Sequence, residues 1–217
     1  MKRQMKLGHR LRGWMLALAL LATAVGCSSI QESGPWEDAF DDGAGWHLSA
    51  DAVADVNVAD GELVVHVFAP GQIAWAMSER RWSDLRLKVE ATHVSGPDDN
   101  EYGVLLRMSK TSSGSDAFYA FSISGDGYAR IARYEGGTWT VLGSDWVPSP
   151  AIHQGEATNL LEVVAQGPAF EFIVNGQSVL ETEDTVLKTG GIGVYAGAFA
   201  EGGVVVAFDN LQVTPLP

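Results

Sequence analysis

From Trp36 onward, apolar and polar residues alternate in short runs. In the stretch DLRLKVEAT, Leu85, Leu87, Val89 and Ala91 take every second position, and Arg86, Lys88, Glu90 and Thr92 fill the places between. A strand of this pattern has one dry face and one wet face. The runs ELVVHVF, QIAWAM, YGVLLRM, TNLLEVVA, GGIGVYAGA and VVVAFDNLQV read as further strands, separated by clusters of Gly, Asp, Asn and Ser. No helical period competes with them. Between AFEFIV and QSVLE stands Asn175-Gly176, a dipeptide that tolerates the positive φ angles of a type I′ hairpin. Counting back from that turn pairs Phe172 with Val179. Two further hairpin turns are predicted at Ser124 to Gly127 and at Glu135 to Gly137.

About a dozen such strands predict an all-β fold, a two-sheet antiparallel β-sandwich of the jelly-roll kind. The last strand carries an irregularity. Val204, Val206 and Phe208 share one parity, whereas Leu211 and Val213 take the other, so a β-bulge is expected at Asp209-Asn210.

The start of the chain obeys a different pattern. Residues 1–12 hold Lys2, Arg3, Lys6, Arg10 and Arg12 without an acid, and residues 13–26 are apolar or small apart from Thr23. This is the layout of an export signal. Fourteen helical residues reach only about 21 Å, against a hydrocarbon core of about 30 Å. Ala24-Val25-Gly26-Cys27 resembles the lipobox of bacterial lipoproteins, with Ala where Leu is preferred. The resemblance implies that Cys27 is acylated and becomes the new N-terminus, anchoring the protein in a bacterial cell envelope on its extracytoplasmic face. An ordinary signal peptide with a chance cysteine is the competing reading. Ser28, where Asp would suggest retention at an inner membrane, favours an outer membrane or cell surface.

Residues 1–26 are thus read as a signal peptide, 27–35 as a lipidated N-terminus and tether, and 36–217 as one β-sandwich domain. Cys27 is the single cysteine, so no intrachain disulfide supports that domain. Five of the 14 basic residues leave with the signal, so nine face 27 acidic ones. A net charge of about −18 repels phosphate backbones and excludes nucleic acid as a partner.

The ordered set "FDDGAGWHLSADAVADVNVADGELVV", "NEYGVLLRMS", "YAFSISGDGYARIARYEGGTWTVL", "NLLEVVAQGPAFEFIVNGQSVLE", "GGIGVYAGAF" and "VVVAFDNLQV" resembles the concanavalin A-like lectin/glucanase superfamily. It is similar in particular to the laminin-G-like jelly rolls and to the 3-keto-disaccharide hydrolase and family 16 glycoside hydrolase-type domains. The resemblance implies a curved sheet used as a groove for sugar.

Sugar rings stack their apolar faces on Trp or Tyr and need polar partners for their hydroxyl rims. Arg107, Tyr119, Tyr128, Arg130, Arg133, Trp139, Trp146 and Tyr195 have those chemistries on predicted strands or neighbouring loops. Arg107 leads the set. If Tyr102, Val104, Leu106 and Met108 are core, Arg107 points onto the open sheet face with Gly103 and Leu105, and Arg107→Ala should leave stability nearly unchanged. The plain alternatives are an arginine paired with an acid, and aromatics that belong to the core.

Catalytic chemistry is harder to find. The superfamily's hydrolases place carboxyls at alternating positions of one strand, and no such pattern occurs. Glu181-Thr182-Glu183-Asp184 reads instead as a solvated charged turn. The histidines lack zinc-ligand spacing, and no G-x-S-x-G is present. No cofactor is required. A structural calcium is the one metal considered, held by Asp209 with Asp38, Asp41 or Asp42; the competing reading is that Asp209 and Asn210 cap the bulge. The resulting expectation is a lipid-anchored carbohydrate- or glycoconjugate-binding module. A glycoside hydrolase or 3-keto-disaccharide hydrolase-like enzyme and an envelope protein-interaction domain are the alternatives.

Overall fold

The computed structural model describes residues 32–217. The signal segment and Cys27 lie outside the described residues. Among the described residues every regular element is a strand: β1 (Trp36–Asp38), β2 (Trp46–His47), β3 (Ser49–Ala50), β4 (Ala54–Ala59), β5 (Glu62–Val67), β6 (Ile73–Trp82), β7 (Leu85–Ser95), β8 (Glu101–Lys110) and β9 (Asp116–Ser124). They continue with β10 (Tyr128–Glu135), β11 (Thr138–Val141), β12 (Val147–Pro148), β13 (Thr158–Gln166), β14 (Ala169–Val174), β15 (Gln177–Glu183), β16 (Gly190–Gly197) and β17 (Val204–Pro215).

These strands form two antiparallel sheets. The first runs β15-β14-β13-β7-β17-β5-β4-β3, with β1 added beside β17. The second runs β11-β10-β9-β8-β16-β6-β2, with β12 beside β10. Alternation explains the sandwich: Leu85, Leu87, Val89 and Ala91 of β7 are fully buried, as are Val104 and Leu106 of β8 and Val194 of β16, in one cluster between the sheets. Each large apolar side chain so buried contributes about 1.5–3 kcal/mol.

The two predicted turns that flank β10 are present, as is the Asn175-Gly176 hairpin, whose φ angles are 51° and 78°. Its register differs from the simple count. A bulge between Phe172 and Ile173 sets Phe172 opposite Leu180 instead of Val179. The bulge expected in the last strand is found: pairing with β7 slips between Asp209 and Gln212, and Asn210 takes φ 55°.

Residues 32–35, read as part of a tether, are docked. Ser33 N donates to the Arg81 carbonyl at 2.8 Å, and the Trp82 indole donates to the Gly34 carbonyl at 3.1 Å. Trp36 then stacks on Trp82 with centroids 6.2 Å apart. No helix among the described residues is long and apolar enough to cross a membrane.

Candidate functional site

The outer face of the second sheet is built from residues that the strand parity turns away from the core. One row crosses five strands: Arg130, Ser122, Gly103, Tyr195 and Trp75 lie opposite one another on β10, β9, β8, β16 and β6. The neighbouring row brings Ser124, Glu101 and Gly197 together. Small residues hold the middle of the face and larger ones rise at its sides. Trp75 reaches over the sheet to within 6.0 Å of Phe118, which stacks on Tyr134 at 5.1 Å and meets Trp139 edge-on at 5.7 Å. The centre of the face is therefore bridged by aromatics, not left as a continuous open groove.

Beyond the bridge lies a polar knot. Arg130 Nη2 donates to Glu101 Oε2 at 2.8 Å, and the Tyr195 hydroxyl donates to the same oxygen at 3.1 Å. Ser122 Oγ bonds the Tyr195 hydroxyl in turn. A Cβ on Gly197 would sit 3.0 Å from Glu101 Cγ, so the glycine makes room for the carboxylate. Burial first, and then the negative charge of Glu101, push the Tyr195 hydroxyl well above the ordinary tyrosine pKa. The Arg130 guanidinium carbon also lies 4.5 Å from the Trp146 ring centre and 5.7 Å from that of Trp139. Such stacking favours arginine over lysine here.

This knot abuts a surface pocket of about 340 Å³, lined by Asp99, Ser124, Asp126, Tyr128, Trp146 and Phe199. Four loops assemble it. The 124–127 turn is tied to the 97–100 loop by Asp126 N donating to the Asp98 carbonyl at 2.9 Å. Buried Asn100 holds the loop that carries Phe199, accepting from Phe199 N at 2.8 Å and donating to the Glu201 carbonyl at 3.0 Å. Trp146 meets Phe199 edge-on at 5.9 Å and adopts φ 43°, a left-handed conformation rarely taken by a bulky side chain. Tyr128 and Phe199 remain exposed to 37% and 38%, which places large aromatic surfaces in contact with solvent where a ligand can cover them.

Of the eight residues expected to bind ligand, the structure gathers Tyr128, Arg130, Trp139, Trp146 and Tyr195 on this face. Tyr195 is fully buried and acts from below. Arg107, Tyr119 and Arg133 go elsewhere. Arg107 occupies a bulge in β8 with φ 54°, and the register slips between Leu106 and Ser109. The extra residue moves Met108 to the outer face beside Leu105 and takes Arg107 off it, correcting the expected orientation. Only 3% exposed, Arg107 donates to the carbonyls of Ser83, Leu187 and Gly167 and to Asp84 Oδ1, over the ring of Phe170. Burial lowers its pKa, and Asp84 opposes that shift. It is a staple between loops.

Tyr119 and Arg133, opposite each other on β9 and β10, converge on Asp184. The Tyr119 hydroxyl donates to Asp184 Oδ1 at 2.6 Å, Arg133 pairs with the other oxygen, and Leu187 N donates to the Tyr119 hydroxyl at 3.0 Å. Asp184 thus belongs to a built ion pair, not to a solvated turn. Burial, and then the bond to Asp184, raise the Tyr119 pKa to about 12.

The acids considered for calcium do not form one site. Asp38 accepts from Phe40 N at 2.9 Å and from the Trp46 indole at 3.0 Å, Asp42 accepts from Ala44 N, and Asp209 accepts from Asn210 N. Asp41 is exposed. No three His, Cys, Asp or Glu side chains converge on a metal position among the described residues. Glu101, Asp99, Asp126 and Phe199 were not among the expected ligand residues; Glu101 opens β8, and the other three lie in turns or loops between strands.

Fold and face together define a concanavalin A-like β-sandwich. Within that class, residues 35–214 match the family model of the 3-keto-alpha-glucoside-1,2-lyase-like domain, and the chain belongs to that family. The carbohydrate binding module CBM66 from Bacillus subtilis superposes with a TM-score of 0.60 at 15% identity, covering 78% of this chain and 95% of the module. A Bacillus licheniformis beta-glucanase gives 0.63 at 13% identity over 86% of this chain and all of the enzyme, 100%. A Bacillus subtilis protein with a galectin-like fold gives 0.63 at 12% identity, covering 85% of this chain and 97% of that one. No curated protein sequence matches.

Proposed function

We propose that the protein is an extracytoplasmic carbohydrate-binding domain, held to a membrane through Cys27, that takes a saccharide in the pocket of Tyr128, Trp146 and Phe199. One observation carries this reading. Three aromatic side chains, two of them exposed, surround Ser124, Asp99 and Asp126 in a pocket of about 340 Å³, supplying both stacking surfaces and hydroxyl partners. Membership of a family described by its action on glucosides, and the likeness of fold to a carbohydrate-binding module, support the same ligand class.

The test is a glycan array probed with the purified protein, followed by titration of any retained sugar against Trp146→Ala. Loss of retention in that variant, with the melting temperature maintained, is the expected result. Retention unaffected by Trp146→Ala would place the binding surface elsewhere and overturn the assignment.

The family match also favours a second reading, a lyase acting on 3-keto-glucosides. Glu101, buried beside the pocket and bonded by Arg130 and Tyr195, is the carboxylate that such a reaction would use as a base. Release of monosaccharide from a 3-keto-disaccharide, abolished in Glu101→Gln, would establish it; absence of turnover leaves binding as the function.

A further inference from the structure

The charge around the pocket narrows the ligand. Asp99 and Asp126 line it and are both exposed. Arg130 is the cation at its base, and Glu101 already neutralises it at 2.8 Å, with Asp145 a further 3.8 Å from its other terminal nitrogen. No lysine lines the pocket. What faces solvent is therefore a net negative charge beside the rings of Tyr128, Trp146 and Phe199.

A neutral sugar can donate its hydroxyls to the two carboxylates but leaves their charge uncompensated. A cation gains twice: from the carboxylates by Coulomb attraction, and from the ring faces by cation–π contact, which is worth about 0.5–2 kcal/mol according to desolvation. Anionic sugars are repelled by the same arrangement. The backbone supports a preformed site, since Asp126 is held by its bond to the Asp98 carbonyl, Phe199 by Asn100, and Trp146 at positive φ. Little ordering cost remains to be met on binding.

We infer that the pocket selects a sugar bearing a free ammonium group, an amino sugar whose nitrogen is not acylated, with the ammonium held between Asp99 and Asp126 and the ring laid against the aromatics. This inference rests on the saccharide-binding reading of the same pocket and adds the charge of the ligand to it.

The experiment is a titration of the full-length protein, followed by tryptophan fluorescence, with three oligomers of equal length: deacetylated glucosamine, N-acetylglucosamine and glucose. The glucosamine oligomer should bind at least tenfold more tightly than the other two at pH 6. That preference should disappear as pH is raised and the amine loses its proton, and should shrink as salt is raised. Asp99→Asn and Asp126→Asn should each cut affinity for the glucosamine oligomer about fivefold or more, and should cut it by a larger factor than they cut affinity for either neutral oligomer. Both carboxylates are exposed, and the melting temperatures of the variants serve as the control for folding. Equal or tighter binding of a neutral oligomer overturns the inference but leaves the saccharide site standing. Failure of all three oligomers, together with a blank glycan array, removes both.

Discussion

Arg130 and Glu101 form a nearly buried ion pair at 2.8 Å, with side chains only 13% and 7% exposed, and Trp146 covers the guanidinium. Removing one partner of such a pair leaves the other charge without compensation, at a cost of about 3–5 kcal/mol. Arg130→Ala should therefore lower the urea midpoint substantially and weaken saccharide binding about tenfold. Arg130→Lys keeps the charge but not the planar stack, so it should recover most of the stability and less of the affinity. A midpoint for Arg130→Ala equal to that of the parent would show that the two side chains are not energetically coupled.

Arg107 gives the opposite separation. Its donors satisfy three backbone carbonyls and Asp84, and truncation would empty the buried guanidinium site and leave four partly buried or exposed acceptors without their donor. Arg107→Ala is expected to cost about 3 kcal/mol or more in urea denaturation, while molecules that remain folded bind sugar normally. Normal stability with lost binding would reinstate Arg107 as a ligand contact.

Alkaline pH should unfold the domain through its buried tyrosines. Tyr102 and Tyr119 are raised to about 12, chiefly by burial. In the unfolded chain they ionise near pH 10, so between about pH 10 and 12 the unfolded state loses protons that the folded state keeps, and stability falls as pH rises. The urea midpoint measured from pH 9 to 12 should decline, and less steeply in Tyr119→Phe. An identical slope in that variant would assign the decline to other groups.

Asn175 serves the hairpin in two ways. Its left-handed φ is one that glycine also accepts, but its side chain also donates to Ala151 O and Asn159 Oδ1, both at 2.8 Å, and accepts from Leu160 N at 2.9 Å. Asn175→Gly keeps the turn and removes the bonds, and should cost about 2 kcal/mol. A cost below about 0.5 kcal/mol would mean that the turn conformation alone accounts for the asparagine.

Cys27 is tested in cells. Cys27→Ser, or inhibition of the lipoprotein signal peptidase, should stop the mature protein from partitioning with membranes. Unchanged membrane partitioning of Cys27→Ser would discard the lipid anchor.

Local pattern carried most of the architecture. Period-two alternation in β7 is a property of neighbouring residues, and so are the Asn175-Gly176 turn and the parity change around Asp209. Each was readable because its cause lies within a few positions of chain. The bulge at Arg107 was not readable in the same way. Nothing in YGVLLRMS breaks the alternation, and the slip follows from what Arg107 gains by reaching Ser83, Gly167 and Leu187, residues far away in sequence. The same limit separated Tyr119 and Arg133 from the other expected ligand residues, because the partner that claims them, Asp184, is about 50 residues or more away.

The sequence by itself determined that this chain buries alternate side chains between two antiparallel sheets, that its turns fall at Gly- and Asn-bearing positions, and that its domain is strongly acidic. Only the tertiary structure decided which aromatics and charges share a surface. Strand pairing and loop packing bring Asp99, Asp126, Trp146 and Phe199 to one pocket from segments up to 100 residues apart. The physical reason is that burial follows a periodicity which any single strand displays, whereas a binding site depends on register, and register is set by contacts that no local segment contains.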